Sequence, residues 1–182
     1  MSQPTLQTER LKLRPYLIDD ADAVQRIVSD REVAATTLSI PHPYPEGGAL
    51  EWLQSIEPKW ADGTAAVFAI TLSPTGDVIG SIGLVIKPEH RHAEMGYLIA
   101  RSHWGHGYVT EAAAAVLRFG FETLNLNRIF AHHMTHNPAS GTVMRKNGMR
   151  YEGTMRQHII KWGETRDIAF YGITRDEYDA KR

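Results

Sequence analysis

The sequence predicts a mixed α/β fold in one domain spanning residues 1–182. Three observations carry this. Apolar residues recur at helical spacing around Val24, Trp52 and Val116; the period drops to two from Ala65 to Ala100; and two further strand-like runs close the chain. At 182 residues the chain has the size of one domain able to bury a core, and no internal repeat or linker divides it.

The elements follow in order. Leu11 to Arg14 alternates and reads as a first strand. Asp19 then serves as an N-cap for a helix whose Ala21, Val24, Ile27 and Val28 share a face. Pro41, Pro43 and Pro45 exclude regular helix, so Ser39 to Pro45 is a loop. Ala49, Trp52, Leu53, Ile56 and Trp60 fit a second helix, which Pro58 kinks or ends. Val67 to Leu72 and Val78 to Ile86 form a hairpin across Pro74 and Gly76. In the next strand, Ala93 to Ala100, Glu94, Gly96 and Leu98 face one side and Met95, Tyr97 and Ile99 the other. A helix with Val109, Ala113, Val116, Leu117, Phe121 and Leu124 on one face runs to about Leu124. Arg128 to Met134 is a strand. Asn137 caps a short helix with Pro138 at its first position, and Asn147-Gly148 ends it. Tyr151 to Trp162 and Thr165 to Thr174 make a closing hairpin.

Composition narrows the function. Charged residues are 23% of the chain and the net charge is −1, so no basic footprint for nucleic acid exists. With no cysteine, thiolate catalysis and disulfides are excluded. The polar start, Met1 to Thr5, lacks an apolar signal core, and no apolar run reaches the roughly 20 residues of a membrane span. A cytoplasmic location is expected.

The most informative segment is Trp104-Gly105-His106-Gly107-Tyr108-Val109-Thr110, between a strand and a long helix. Its glycines permit a tight turn, and the helix start offers unpaired N–H groups and a positive dipole end, which together suit a phosphate or diphosphate. A nucleoside-triphosphate loop needs lysine after the second glycine, and Tyr108 stands there. A dinucleotide site needs a third glycine, and Thr110 stands there.

The strand Glu94-Met95-Gly96-Tyr97-Leu98-Ile99, the Trp104 to Tyr108 loop, Thr110-Glu111-Ala112, Asn137 with Ser140, and Lys146 with Gly148 resemble the GNAT superfamily of acetyl-CoA-dependent N-acetyltransferases. Thr8-Glu9-Arg10-Leu11, Tyr151-Glu152-Gly153 and Asp167 are similar to its ribosomal-protein N-terminal (Rim-type) branch. The resemblance extends from about Leu6 to Tyr178. It implies a twisted, mainly antiparallel sheet flanked by helices, with its fourth and fifth strands splayed apart. It further implies pantetheine along Tyr97, Leu98 and Ile99, and pyrophosphate on the amides of Trp104, Gly105, His106, Gly107, Tyr108, Val109 and Thr110. Asn137 would touch pantetheine. Ser102 stands where the family often has glutamine or arginine, with Arg101 one residue earlier.

Acetyl transfer to an amine needs a base for the amine and stabilisation of the departing thiolate. Glu94 is the candidate base; its structural alternative is an ion pair with Arg91 or Arg101. The family's acid tyrosine is replaced by Met144, so Ser140 is the candidate partner of the sulfur; its alternative is a bond to its own helix backbone. His132, His133 and His136 cluster in sequence without further ligands, so no metal is expected. His103 and His106 are expected to face solvent, and Trp52, Trp60 and Phe121 to fill the core. In the family, the loop holding His42 and Tyr44 covers the acceptor pocket, and the Trp162-Gly163-Glu164 turn is a candidate opposite wall. The resulting expectation is direct acetyl transfer from acetyl-CoA to a primary amine in a ternary complex, in a monomer or homodimer. A protein N-terminal amine is favoured; polyamines, amino acids and antibiotics are alternatives. So is a non-catalytic acyl-CoA-binding or regulatory module.

Overall fold

A computed structural model describes residues 2–180. One sheet of eight strands organises them: β1 Leu6–Gln7, β2 Leu11–Arg14, β3 Ala65–Leu72, β4 Val78–Lys87, β5 His92–Ile99, β6 Arg128–Met134, β7 Arg150–Lys161 and β8 Glu164–Thr174. Their spatial order is β1-β2-β3-β4-β5-β6-β8-β7, antiparallel throughout except between β5 and β6. β1 was not foreseen, being two residues with no pattern of its own. The closing turn is tighter than expected: Trp162 and Gly163 both adopt positive φ, 52° and 81°, which suits a two-residue hairpin.

The helices are α1 Ala21–Ser29, α2 Arg31–Ala35, α3 Gly48–Gln54, α4 Ile56–Ala61, α5 Tyr108–Arg118, α6 Pro138–Lys146 and α7 Arg175–Asp179. The N-cap of α1 is Asp20, not Asp19, because a short 3-10 turn over Ile18–Asp20 precedes the helix. Asp20 is buried and accepts from Arg14 at 2.7 and 2.8 Å and from the Leu17 amide at 2.8 Å. α2 was not foreseen; Asp30 caps it by accepting from the Glu32 amide. The single helix expected around Trp52 is two helices meeting at Ser55. Pro58 has no N–H for the Gln54 carbonyl and its ring crowds that carbonyl, so the break falls before the proline.

Side-chain alternation divides the core between the faces of the sheet. Phe68, Leu84, Met95 and Ile99 pack with Ala113, Val116 and Phe121 from the α5 side. Val67 and Leu98 face the other way, onto Val24, Val28, Ala49 and Leu53 of α1 and α3. A five-residue π-helical turn, Phe119–Thr123, extends α5 to the expected end near Leu124.

Candidate active site

The parallel junction between β5 and β6 is short. Pairing runs through His92↔Arg128, Ala93↔Ile129 and Glu94↔Phe130, then stops, so the strands part after Glu94. β5 remains paired to β4 up to Ile99, and the Ala100 amide donates to the Ile79 carbonyl at 2.8 Å. Peptide groups alternate between the two edges of a strand. Ala100 therefore fixes the phase: Tyr97 and Ile99 present their peptide groups on the open edge, whereas those of Leu98 turn toward β4. That corrects the expectation for Leu98, which has no main-chain group on the open edge.

The open edge leads to the glycine loop. Gly105 and Gly107 both take φ of 78°, a left-handed conformation that disfavours any side chain. Among the described residues, no amide from Gly105 through Thr110 donates within the chain. Trp104 differs from the expectation: its amide is already bonded to the Arg101 carbonyl at 3.1 Å, and its indole N–H donates to the Ile99 carbonyl at 3.0 Å. The amide run thus starts at Gly105.

Residues far away in sequence brace this loop. The Glu111 carboxylate, in the first turn of α5, accepts from Thr8 Oγ1 at 2.6 Å, the Arg10 amide at 2.8 Å and Arg10 Nε at 2.7 Å. Burial alone would raise the Glu111 pKa, but these donors hold it below the ordinary value. Arg10 also donates to the His106 carbonyl at 3.0 Å and lies over the Tyr108 ring. His106 is exposed and stacks on Tyr108. Ser102 bonds to the neighbouring His103, and Arg101 pairs with Glu32.

Glu94 stands where the strands part, and its partner is neither Arg91 nor Arg101. Arg91 donates to the Asn125 carbonyl instead. His132 Nδ1 lies 3.4 Å from Glu94 Oε1, an electrostatic contact without hydrogen-bond geometry. On the opposite face, the Tyr97 hydroxyl meets Ser140 Oγ at 2.7 Å and the Ser140 carbonyl at 3.1 Å. Burial pushes the Tyr97 phenol up to about 12 against the pull of Ser140, so it carries its proton at neutral pH. Ser140 is buried and does not bond back to its own helix through Oγ. Asn137 occupies the cap position of α6, but its side chain makes no capping bond, contrary to the expectation. Tyr97 was expected to act only through its backbone; its hydroxyl contact spans 43 residues, which spacing does not show.

The three neighbouring histidines do not converge. His132 packs on Phe170 and His133 on Tyr171, and successive residues of β8 face opposite sides. Burial lowers the His133 pKa, and its Nδ1 lies 2.8 Å from the Met134 carbonyl. His136 lies beyond β6, 3.4 Å from the Ala35 carbonyl. Among the described residues, no three His, Cys, Asp or Glu side chains are grouped to hold a metal ion.

On the Glu94 face, the proline loop and the closing hairpin meet. His42 packs against Trp162 with ring centroids 5.9 Å apart, and Lys161 Nζ donates to the Ile40 carbonyl at 2.6 Å. Beside them a cavity of about 380 Å³ lies between α1, α3 and the ends of β4 and β5. Trp52 lines it, with Tyr16 and Tyr44, and so is not simply core. Tyr16 escaped the sequence reading because nothing local distinguishes it. Among the described residues, no helix is long and apolar enough to cross a membrane.

A mainly antiparallel sheet with one parted parallel junction, a strand edge left open, and unpaired amides at the next helix start define an N-acetyltransferase architecture. The chain matches the acetyltransferase (GNAT) domain family over residues 10–150, and it belongs to that family. It is 34% identical to the uncharacterized N-acetyltransferase p20 of Bacillus licheniformis, over 96% of this chain and 98% of that one. The [ribosomal protein uS5]-alanine N-acetyltransferase of Escherichia coli (strain K12) is 27% identical, over 78% and 73% of the two chains. A crystal structure of a GNAT-family acetyltransferase from Bacillus anthracis superposes with a TM-score of 0.85 at 26% identity, covering 95% and 99%.

Proposed function

We propose that this cytoplasmic N-acetyltransferase moves the acetyl group of acetyl-CoA to the α-amine of a polypeptide N-terminus. The observation that carries the cofactor half is the run of unpaired amides from Gly105 to Thr110 beside the open edge of β5. Backbone donors at a helix start suit a diphosphate, and a free strand edge suits an arm that contains amides. The Tyr97 peptide groups and the Ile99 amide hold that arm, the Ile99 carbonyl being engaged by the Trp104 indole, and the Asn137 side chain, which makes no capping bond, faces the same task. Acetyl-CoA supplies an activated thioester.

The chain's own residues supply position and proton management. Glu94 takes one proton from the acceptor ammonium, directly or through water, which frees the lone pair for attack; His132 lies beside it, 3.4 Å away. The freed nitrogen forms its bond to the acetyl carbon as the carbon–sulfur bond breaks, and the second proton it then sheds passes to the departing thiolate, leaving the amide and the CoA thiol. Ser140 donates a hydrogen bond toward the departing sulfur, with the Tyr97 phenol behind it taking the place of the tyrosine lost at Met144. Fixing the two reactants together accounts for a large share of the rate, about 7–11 kcal/mol in favourable systems. The N-terminal amine is favoured because the uS5-alanine enzyme is among the relatives.

The test is CoA release from acetyl-CoA with a peptide bearing a free N-terminus, set against the same peptide with that terminus blocked. Turnover with the free peptide alone is expected. Equal or no release with both would contradict the proposal.

A further inference from the structure

Gly96 is an exposed residue in the centre of an eight-stranded sheet. Its φ lies outside the left-handed region, and a Cβ placed there would meet nothing within 4 Å. Neither backbone conformation nor packing therefore calls for glycine here. What its absent side chain leaves is open space on the Glu94 face, between Glu94 and Leu98. The strands have just parted at this point, so the window looks from the acceptor face toward the gap between β5 and β6.

Two residues further along the same face, about 7 Å by strand rise, Leu98 enters the wall of the cavity. The volume of about 380 Å³ exceeds what a methyl group would fill. Tyr16, Trp52, Ile40 and Val28 supply an aromatic and aliphatic lining, and no charged side chain belongs to it. The Tyr16 hydroxyl is already bonded to the Gly80 carbonyl at 3.2 Å. Lys161 near the rim is held on the Ile40 carbonyl; the Arg14–Asp20 pair lies near Tyr16 and Glu51 near Tyr44, but none of these charged side chains lines the cavity. A second ammonium would lose its water here with no carboxylate in the lining to pair with, Asp20 being already committed to Arg14, a cost that disfavours polyamines.

Resting on the acetyl-transfer reading above, we infer that the acceptor is a polypeptide whose first residue is apolar and larger than alanine. Its amine passes over Gly96 to reach the thioester, and its side chain seats in the Tyr16–Trp52 cavity. The cavity thus sets acceptor specificity, and Gly96 keeps the passage to the thioester open.

The experiment compares otherwise identical peptides headed by Leu, Phe, Ala, Asp or Lys, together with spermidine and phenethylamine, at saturating acetyl-CoA. Wild type, Gly96→Ala and Ser39→Phe are measured in parallel. Ser39 is an exposed loop residue at the cavity, so the larger ring occupies the space at little folding cost. The expected kcat/KM for Leu and Phe peptides is about tenfold or more above the others, the scale of discrimination an apolar pocket gives. Ser39→Phe should collapse the Leu-to-Ala ratio toward one. Gly96→Ala should raise KM for every peptide while the acetyl-CoA Kd stays unchanged. Preference for Asp, Lys or spermidine, phenethylamine used as well as the Leu peptide, or a Leu preference that survives Ser39→Phe would overturn the inference. If no amine is turned over, the proposed transfer activity fails first. Binding of the Leu peptide to the CoA-loaded protein, read by Trp fluorescence, then decides: saturable binding weakened by Ser39→Phe supports the cavity assignment, and its absence ends it.

Discussion

The two halves of the candidate site are built on different principles. The glycine-loop half offers main-chain amides in a conformation fixed by Gly105 and Gly107, and clamps them from behind with Arg10 and Glu111. The Glu94 half is made of side chains from α1, α3, β5, β6 and a proline loop, tied to the closing hairpin by Lys161 and Trp162. Backbone chemistry serves a ligand shared across a family; side chains tailor the surface that meets an individual acceptor. Substitutions should therefore sort cleanly, the loop half changing cofactor affinity and the Glu94 half changing turnover or acceptor choice.

The sharpest way to break that division is Glu94→Gln, which keeps shape and removes the proposed base. The expected fall in kcat is roughly 100- to 10,000-fold, with acetyl-CoA Kd unmoved in a calorimetric titration. A matching loss of cofactor affinity would erase the distinction.

Next comes Asp20→Asn, which tests what anchors the α1 side. It removes one partner of a largely buried ion pair, so about 3–5 kcal/mol of unfolding free energy should be lost at pH 7. Burial raises the Asp20 pKa, but Arg14 and the Leu17 amide overcome it and hold the carboxyl below its ordinary value of 3.8. The folded state thus favours the ionised form more than the unfolded chain does. Its contribution is complete above the ordinary value and fades as pH falls through the lowered one. Denaturant melts of wild type and variant should begin to converge as pH falls below 3.8 and meet once it is below the lowered folded-state value; a gap that persists there would mean that the pair is not what the substitution removed.

Gly107→Ala addresses the loop half alone. A side chain at φ of 78° costs about 1–2 kcal/mol, which corresponds to acetyl-CoA binding weakened by about tenfold. kcat at saturation should hold. Tyr97→Phe is the smallest effect: losing one hydrogen bond to Ser140 should lower kcat by about three- to tenfold with both KM values little changed. Unchanged kcat would leave that contact as packing only.

What could be read from the sequence follows the same division. The conformation of the glycine loop was legible because it lies in local backbone geometry, with Gly105, Gly107 and the α5 start close together in sequence. The course of β5 was legible by alternation, although the inclusion of Leu98 and Trp104 went too far. Which edge a peptide group faces depends on β4, and the Trp104 amide is taken by a turn, neither of which local pattern reports. Glu94 was visible, but its neighbour His132 arrives from a strand 38 residues on. The brace of Thr8 and Arg10 on Glu111 spans about a hundred positions, and the Tyr16–Trp52 cavity joins four elements. Such arrangements come from packing. A helix period could mark Trp52 as inward-facing without showing that it borders space.

The most direct test of the whole account is an amide nitrogen–proton NMR titration with acetyl-CoA. The amides from Gly105 to Thr110, with those of Tyr97 and Ile99, should shift strongly and saturate together, while Trp104 and Leu98, already engaged or turned away, move less. If the Gly105 to Thr110 signals stay in place at saturating acetyl-CoA, the open cradle is not the cofactor site and the account is wrong.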